Sequence, residues 1–165
     1  MFQRNTVKEQ IKQTLFNKYG VYTAGALSTN YNKESGPHKL VLTALREHNY
    51  VCESELSNSS KERFRAFNEY YGKFYSPIPD IIIESHKLII EIYGNYWHAN
   101  PEIYDDLDVI VKYGHKRKTA AEIRKEDESR ITQLQSFGYD VCILWESDIC
   151  AGVYKQKLKK YGVIL

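Results

Sequence analysis

Two carboxylates and an imidazole lie close together in the segment PDIIIESHKLIIEIYGNYWHANP, residues 79–101. Asp80 precedes one apolar run, Glu91 lies near the end of a second run, and His98 follows that second run. Carboxylate oxygens are the ligands that Mg²⁺ prefers, and histidine can accept a proton near neutral pH. This set of residue types predicts metal-assisted hydrolysis of a phosphodiester bond.

A hairpin would bring these acids to one point, because the start of its first strand lies beside the end of its second. The predicted metal ligands are Asp80, Glu91 and the backbone carbonyl of Ile92, with Mg²⁺ as the cofactor and Mn²⁺ as a substitute. His98 is predicted to accept a proton from the attacking water. Asp127, in a helical segment, is predicted to hold that imidazole in one tautomer or to share the metal.

Each of these side chains also has an ordinary structural explanation. Asp80 can simply begin a strand, His98 can be a core histidine bonded to a carbonyl, and Asp127 belongs to a charged run. Glu91 is the hardest to explain in this way, because an ionised carboxylate in an apolar strand needs a partner. Spacing alone therefore supports a metal-dependent phosphodiesterase as one hypothesis.

The elements that must position these side chains follow from the hydrophobic pattern. Continuous apolar runs predict buried strands at about 80–84, 88–93 and 140–146. A helical pattern over 119–137, ended by Gly138, lies between the last two of them. A strand–helix–strand unit with a right-handed crossover is expected, and the fold class is α/β with a small mixed central sheet flanked by helices.

Further helices are predicted on both sides of this core. One covers 6–18, and another begins after Ser35 with Leu40, Val41, Ala44 and Leu45 as its apolar face. A short helix within the aromatic segment 57–77 and a basic helix over 153–161 complete the set. The chain is therefore divided into a basic DNA-contacting arm, a core and a basic C-terminal helix, at residues 1–34, 35–150 and 151–165.

Basic residues cluster with aromatic rings, although the net charge is only +2. Fourteen tyrosines accompany these clusters, and the combination suits a phosphate backbone and its bases. Solvated charged faces and ordinary ring packing are the alternatives. The predicted DNA contacts are Lys8, Lys12, Lys18, Arg63, Arg65, Tyr93, Tyr96, Trp97, Lys112, Lys116, Arg117 and Lys118.

Composition argues against several other classes of protein. The apolar fraction of 42% supports a core without disulfides, and the three cysteines form no CxxC pair, so neither a disulfide framework nor a zinc site is expected. No apolar run approaches the roughly 18 residues of a membrane span, and the N-terminal segment lacks a signal-peptide pattern. A reduced, cytoplasmic setting without a membrane partner is expected.

The segment 79–101, followed by IRKEDESRITQLQSFGYDVCILWES, resembles the very-short-patch repair (Vsr) endonuclease fold. It is more closely similar to the EDxHD homing endonucleases of phages, a branch of the PD-(D/E)XK nucleases. The resemblance extends from about residue 35 to residue 148. Its most specific motifs are Pro79-Asp80, the turn Gly94-Asn95-Tyr96-Trp97-His98, and the helix pattern from Asp127 to Tyr139 that leads to Trp145-Glu146.

The resemblance implies a role for each matching residue. Asp80 becomes the metal-binding aspartate, His98 the residue that activates water, and Asp127 the helix acid associated with it. Glu91 falls on the D/E position of the superfamily, and Tyr93 falls where that superfamily usually has its lysine, so proton transfer depends on the histidine. By analogy with the repair enzymes, Tyr96 and Trp97 would wedge against bases.

One position departs from the family pattern. The family's first-helix glutamate aligns with His38. Three explanations are open: His38 takes the role of that glutamate, nearby Glu34 or Glu47 supplies the acid, or the active site of this chain is impaired. The structural zinc of the Vsr enzymes also finds no ligand set here.

The resulting expectation is a Mg²⁺-dependent, site-specific endonuclease for double-stranded DNA, of the free-standing phage homing type, working in a bacterial cytoplasm. The alternatives are a mismatch-directed nicking enzyme, a DNA-binding module with a decayed site, and an RNA-processing nuclease. A duplex cut needs two active sites or two sequential visits, so a homodimer remains open.

Overall fold

The computed structural model of the chain describes residues 35–54, 63–111 and 116–165. The N-terminal arm and its helix, predicted over 1–34, lie outside the described residues, as do the stretches 55–62 and 112–115. The predicted DNA contacts Lys8, Lys12, Lys18 and Lys112, and the alternative acid Glu34, lie outside them as well.

The described residues form eight strands, four α-helices and one 3-10 turn. The strands are β1 (Glu53–Ser54), β2 (Ala66–Asn68), β3 (Lys73–Tyr75), β4 (Ile81–Ile83), β5 (Leu88–Tyr93), β6 (Val109–Val111), β7 (Arg117–Thr119) and β8 (Asp140–Trp145). The α-helices are α1 (Gly36–Glu47), α2 (Ala120–Gln135), α3 (Glu146–Cys150) and α4 (Tyr154–Lys159), and a 3-10 turn over Glu84–His86 joins β4 to β5. None of these helices is long and apolar enough to cross a lipid bilayer.

A four-stranded sheet in the order β1–β4–β5–β8 forms the centre of the fold. β4 pairs antiparallel with both β1 and β5, whereas β5 pairs with β8 in parallel. The sheet is therefore mixed, and the predicted α/β class with a mixed central sheet and flanking helices is confirmed. The long connection from β5 to β8 contains α2, because parallel strands need a crossover.

The two faces of this sheet are covered by different helices. α1 packs Val41 and Leu45 against a cluster that includes Ile81, Ile90 and Leu144. Leu134 of α2 lies in a second cluster on the other face, together with Ile82, Ile89, Phe64 and Tyr139. Because neighbouring residues of a strand point to opposite faces, burial on both sides explains why β5 is apolar along nearly its whole length.

Helix α1 begins where it was predicted but turns a different stripe toward the sheet. The Ser35 side chain accepts a hydrogen bond from the His38 amide, and Pro37 lies in the first turn. Its buried residues are His38, Val41, Leu42 and Leu45. Leu40, predicted as part of the apolar face, is exposed because the buried stripe follows i, i+3, i+4 and i+7 from residue 38.

Helix α2 matches its prediction closely. Thr119 and Glu122 form a reciprocal capping box at its first turn. Gly138, with φ of +81°, follows its C-terminus, as expected for a residue that ends a helix in the left-handed region. These two signals fix both ends of the helix that carries Asp127.

The helix predicted within 57–77 is wrong for the described part of that segment. Residues 66–75 form an antiparallel hairpin in which Phe67 lies opposite Phe74 and Asn68 opposite Lys73. Asn68 is buried while Phe67 is exposed, the alternation of a strand with one covered face. Aromatic residues favour strands, and Gly72, with φ of +60°, permits the turn.

Two further elements complete the description. β6 and β7 pair antiparallel, with Val109 opposite Thr119 and Val111 opposite Arg117, where the sequence indicated only a basic cluster. The predicted basic C-terminal helix is present as α4, which buries Tyr154 and Leu158 against the face covered by α1.

Candidate active site

Asp80 lies directly opposite Glu91 in the register of the central hairpin. The last paired residues are Ile81 and Ile90, and one step further along both strands brings the two acids together. Residues directly opposite each other in an antiparallel pair project from the same face, which here is the face covered by α2. Asp80 Oδ2 accepts a hydrogen bond of 2.6 Å from the backbone amide of Ile92, which fixes its carboxylate at this edge.

The backbone carbonyl of Ile92 points toward the same edge. The N–H and C=O groups of one strand residue face the same neighbouring strand, and the amide of Ile92 faces Asp80. The residue opposite Ile92 in this register is Pro79, which has no N–H to donate. This carbonyl therefore lacks its normal ladder donor and can accept a ligand beside the Asp80 carboxylate.

Glu91 is a buried carboxylate with only one of its oxygens satisfied. Its side chain is 1% exposed, and its Oε2 forms an ion pair with Arg130 of α2. Arg130 also donates to the carbonyl of Ile78 at 2.5 Å. The other oxygen, Oε1, has no hydrogen-bond partner among the described residues.

Burial sets the protonation behaviour of Glu91. It raises the pKa of the carboxyl to about 8, and the nearby charge of Asp80 acts in the same direction, whereas Arg130 and, more weakly, the backbone amide of Asp80 oppose this rise. Burial alone would lower the pKa of the Arg130 guanidinium, but the surrounding acids raise it above its ordinary value. A buried carboxylate oxygen without a hydrogen-bond partner, such as Oε1 of Glu91, indicates that a cation or a proton donor binds there.

His98 and Asp127 form a hydrogen-bonded pair beside these acids. The distance between His98 Nδ1 and Asp127 Oδ2 is 2.9 Å, and both side chains are mostly buried. With Nδ1–H donating to the carboxylate, the Nε2 atom carries the lone pair that can accept a proton. The sequence singled out both residues, and the structure brings them into direct contact.

Tyr93 lies underneath the imidazole. Its ring stacks on that of His98 with a centroid distance of 3.8 Å and an angle of 10° between the planes. Burial raises the pKa of this phenol far above its usual range, and the charges of Asp127 and Glu91 add to that effect. The residue is only 3% exposed and supports the histidine, and its predicted role as a DNA contact stays a prediction.

The loop that carries His98 is held by buried amides that sequence reasoning missed. Asn100 Nδ2 donates to Asn95 Oδ1 at 2.8 Å, and the Ser147 hydroxyl donates to the same oxygen at 3.2 Å. The His98 amide donates to the carbonyl of Gly94, which closes the turn. The two asparagines of GNYWHAN were a visible signal, because amides buried beside apolar strands must bond to something.

Helix α2 presents its site residues from one face. Asp127 and Arg130 are three positions apart, which places their side chains one above the other on a helix. Nearer the start of the helix, Arg124 donates to the carbonyl of Ala99 at 2.7 Å and so ties the helix to the His98 loop. The sequence reasoning named neither arginine, although the spacing from Asp127 could have suggested Arg130.

The donor set at this edge fits a hard divalent cation such as Mg²⁺. It offers the Asp80 carboxylate, the Ile92 carbonyl and the unpartnered Oε1 of Glu91, all oxygen atoms, with the remaining ligands left to water and phosphate. Over the described ranges, no cluster of three or more His, Cys, Asp or Glu side chains is arranged to hold a metal. The set here contains two carboxylates, and Arg130 already binds one oxygen of the second.

His38, the residue at the departing family position, is buried in the first turn of α1. Its Nε2 has no partner, and within the described part of the chain it shares no hydrogen bond or ion pair with the residues above. Glu47, an alternative acid, is exposed at the end of α1 and faces Tyr154, whose pKa its charge helps to raise. The structure does not bring Glu47 to the site.

The predicted DNA contacts fall into two groups. Arg63 forms ion pairs with Glu53 and Glu84 and also donates to Tyr139, and its predicted DNA contact stays a prediction. Arg65 is exposed, and so are Lys116 and Arg117, while Lys118 pairs with Glu126.

The aromatic residues of the His98 loop are used in packing. The hydroxyl of Tyr96 donates to the carbonyl of Val111 and accepts from its amide, which clamps β6 to the loop. Trp97 packs edge-to-face on Tyr96 with ring centroids 5.2 Å apart. Tyr96 remains partly exposed and Trp97 half-buried, so a contact with bound bases stays a prediction for both.

No protein-family model matches the chain, and no curated protein is significantly similar to it. The geometry of these side chains is therefore the basis for inferring what the protein does.

Proposed function

We propose that this protein is a metal-dependent, site-specific DNA endonuclease with a nuclease core of the PD-(D/E)XK superfamily, Vsr-like branch, and that it works as a phage homing enzyme in a bacterial cytoplasm. One observation carries the proposal. An acid pair with an unsatisfied buried oxygen and a histidine–aspartate pair lie at the same end of β5, on the same face of the sheet.

The histidine–aspartate pair supplies the base for hydrolysis. His98 Nε2 accepts a proton from water, and the oxygen of that water forms a bond to phosphorus as the P–O3′ bond breaks. The departing oxygen takes a proton from solvent, so the products carry a 3′-hydroxyl and a 5′-phosphate. Asp127 on one side and the Tyr93 ring underneath stabilise the imidazolium that forms.

Asp80, Glu91 and the Ile92 carbonyl would hold the cation. When bound there, Mg²⁺ would polarise the scissile phosphate and stabilise the leaving oxygen. Arg130 neutralises part of the charge of the two facing acids, which otherwise repel each other at this edge. Its double anchorage to Glu91 and Ile78 leaves a single glutamate oxygen free, which favours one cation at this site over two.

DNA is proposed as the substrate because exposed basic and aromatic side chains lie on the elements that adjoin α2, the helix that carries Asp127. Arg65 and Arg117 are exposed, and the exposed rings of Phe67 and Phe74 lie on the same hairpin as Arg65. Phosphate contacts of this kind contribute affinity and weaken steeply as salt rises.

A DNA-binding module with a decayed site is the second candidate. Two observations favour it: Arg130 already occupies one oxygen of Glu91, and a histidine lies at the family's first-helix glutamate position. Such a module would bind duplex DNA with the same salt dependence and leave it uncut in Mg²⁺ or Mn²⁺.

Cleavage of a supercoiled plasmid library in Mg²⁺, with EDTA as the blank, tests the proposal. We expect nicked or linear products that disappear in EDTA, with break ends that share a sequence. Asp80→Asn and His98→Ala should each slow cleavage by at least about a hundredfold while DNA affinity stays within a few-fold.

Matched controls separate chemistry from folding. Asp140→Asn changes an exposed aspartate at the start of β8, and His48→Ala changes an exposed histidine at the end of α1. Both should cut at the wild-type rate. Full activity in His98→Ala would remove the proposed base, and tight binding without any cleavage by the wild type would select the second candidate.

A further inference from the structure

The hairpin formed by β2 and β3 is clamped to α2 through its inner face. Asn68 donates to Gln133 Oε1 at 2.8 Å and accepts from the Ser129 hydroxyl at 2.9 Å. Gln133 in turn donates to the carbonyls of Phe64 and Tyr75, both at 2.8 Å. These bonds join both ends of the hairpin to the helix, so the hairpin is a rigid extension of α2.

The outer face of the hairpin exposes a pair of aromatic rings. Phe67 and Phe74 lie directly opposite each other, 56% and 64% exposed, with centroids 5.8 Å apart in an edge-to-face arrangement. The guanidinium of Arg65 lies 5.7 Å from the centre of the Phe74 ring. Phe67 and Phe74 therefore form an exposed apolar surface next to a cationic side chain. An exposed apolar surface of this kind indicates a binding site.

The hairpin that carries this surface packs on the helix that contributes Asp127 to the candidate active site. Ser129, which bonds to the hairpin, is two positions after Asp127 on the same helix. At the hairpin tip, the Tyr71 amide donates to Asn68, and the charges of Glu126 and Asp127 act on the Tyr71 phenol. The hairpin tip and the histidine–aspartate pair therefore adjoin the same stretch of α2.

We propose that the outer face of this hairpin, with Phe67, Phe74 and Arg65, binds unstacked bases of the DNA strand that flanks the cleaved bond. The position beside the cleaved bond rests on the proposed function; the stacking surface rests on the rings themselves. Aromatic rings bind exposed bases by stacking, with little sequence preference, and an adjacent cation holds the phosphates between them. Nucleic acid is favoured over a second protein chain because the guanidinium of Arg65 lies against the exposed Phe74 ring, where it can meet a phosphate.

Binding of an oligothymidylate of about 12 nucleotides, measured by fluorescence anisotropy in EDTA, tests this surface without any cleavage. Phe67→Leu with Phe74→Leu keeps an apolar surface but removes the ring faces, and should weaken binding by at least about tenfold. Phe67→Tyr with Phe74→Tyr keeps the rings and should bind like the wild type. Leu107→Ala, 85% exposed in an acidic turn, is the control and should change nothing.

The outcomes separate this inference from the proposed endonuclease activity. Equal oligothymidylate binding by the wild type and the leucine pair would overturn the stacking surface, even if the wild type cuts plasmid normally. Loss of a dimer in the leucine pair, seen by light scattering with oligonucleotide affinity unchanged, would also overturn it and make the rings a protein interface. A wild type that binds the oligonucleotide through its rings but cuts no DNA would contradict the endonuclease proposal and leave the surface standing.

Discussion

Two clusters of an arginine, a glutamate and a tyrosine lie at opposite ends of the central sheet, near α2. The site cluster consists of Arg130, Glu91 and Tyr93, at the end of β5. The brace cluster consists of Arg63, Glu84 and Tyr139, near the starts of β5 and β8. Their residue types are identical, but their surroundings are not.

In the brace cluster every partner is in place. Arg63 pairs with Glu84 and donates to Tyr139, and the Tyr139 hydroxyl donates to Glu84 at 2.7 Å. Hydrogen bonds, first from Lys87 and then from Tyr139, lower the pKa of Glu84 to about 2. Water reaches the carboxylate as well, so the cluster joins the segment before β2 to the sheet edge as a structural contact.

In the site cluster two polar atoms lack hydrogen-bond partners among the described residues. The Oε1 of Glu91 and the hydroxyl of Tyr93 are buried without hydrogen-bond partners in the described part of the chain, and burial moves the pKa of Glu91 upward to about 8. Unsatisfied buried polar atoms are costly, so a fold keeps them where a ligand completes them. The comparison shows that residue type alone does not distinguish the two clusters; the unpartnered atoms of Glu91 and Tyr93, next to the pair of His98 and Asp127, do.

The largest effect on stability should come from removing Glu91, the glutamate of the site cluster, and the matched change in the brace cluster should cost far less. Glu91→Ala removes the ion-pair partner of the largely buried Arg130 and should lower the free energy of unfolding by about 3–5 kcal/mol. Glu84→Ala removes an exposed partner and should cost less than about 1 kcal/mol. Urea unfolding of both variants measures the difference, and equal losses would contradict the distinction between the two clusters.

Asp127→Asn should reduce the cleavage rate by about a hundredfold or more, because the amide no longer holds the imidazole in the tautomer that accepts a proton. Glu126→Gln, the adjacent acid that pairs with Lys118, is the matched control and should cut at nearly the wild-type rate. Single-turnover cleavage of a labelled duplex measures both. Similar rates for the two variants would show that the 2.9 Å contact has no catalytic importance.

The two tyrosines should respond in opposite directions to loss of the hydroxyl. Tyr139→Phe breaks bonds to Glu84 and Arg63 and should cost about 0.5–1.5 kcal/mol of unfolding free energy. Tyr93→Phe removes an unpartnered hydroxyl and should be neutral or slightly stabilising. Urea unfolding without divalent cations distinguishes them, and a loss in Tyr93→Phe as large as that in Tyr139→Phe would mean that its hydroxyl has a partner.

The smallest effect is the pH dependence of the brace cluster. Because the pKa of Glu84 falls from 4.5 to about 2 on folding, this carboxylate stabilises the fold above about pH 4.5, and the stabilisation disappears as the pH falls toward 2. Exposure limits the effect to less than about 1 kcal/mol. Urea unfolding of wild type and Glu84→Gln should converge over this range; a constant gap would rule out Glu84 as the titrating group.

Much of the sheet was predictable because its signals are local. The apolar runs of β4, β5 and β8 exceed what exposed strands carry, and Thr119 and Gly138 mark both ends of α2. The hairpin 66–75 was not predictable in this way. Its strands are three residues each, too short to show a period, and Asn68 is held by Gln133, which is distant in sequence.

The candidate site likewise has features that the local sequence indicates and features that depend on how distant elements pack. The types and spacing of Asp80, Glu91 and His98 indicated the chemistry, since carboxylates in apolar strands need a reason to be there. The ion pair between Arg130 and Glu91 depends on how α2 crosses the sheet, which no local pattern specifies. The missing partner of Tyr93 is likewise a property of packing.

Binding of Mn²⁺ to the protein, followed by electron paramagnetic resonance, tests most directly the claim that a divalent cation completes the site cluster. The account predicts one bound ion per chain for the wild type and for His98→Ala, and loss of that ion in Asp80→Asn. A wild type that binds no Mn²⁺, or an Asp80→Asn variant that binds it as tightly as the wild type, would contradict the account.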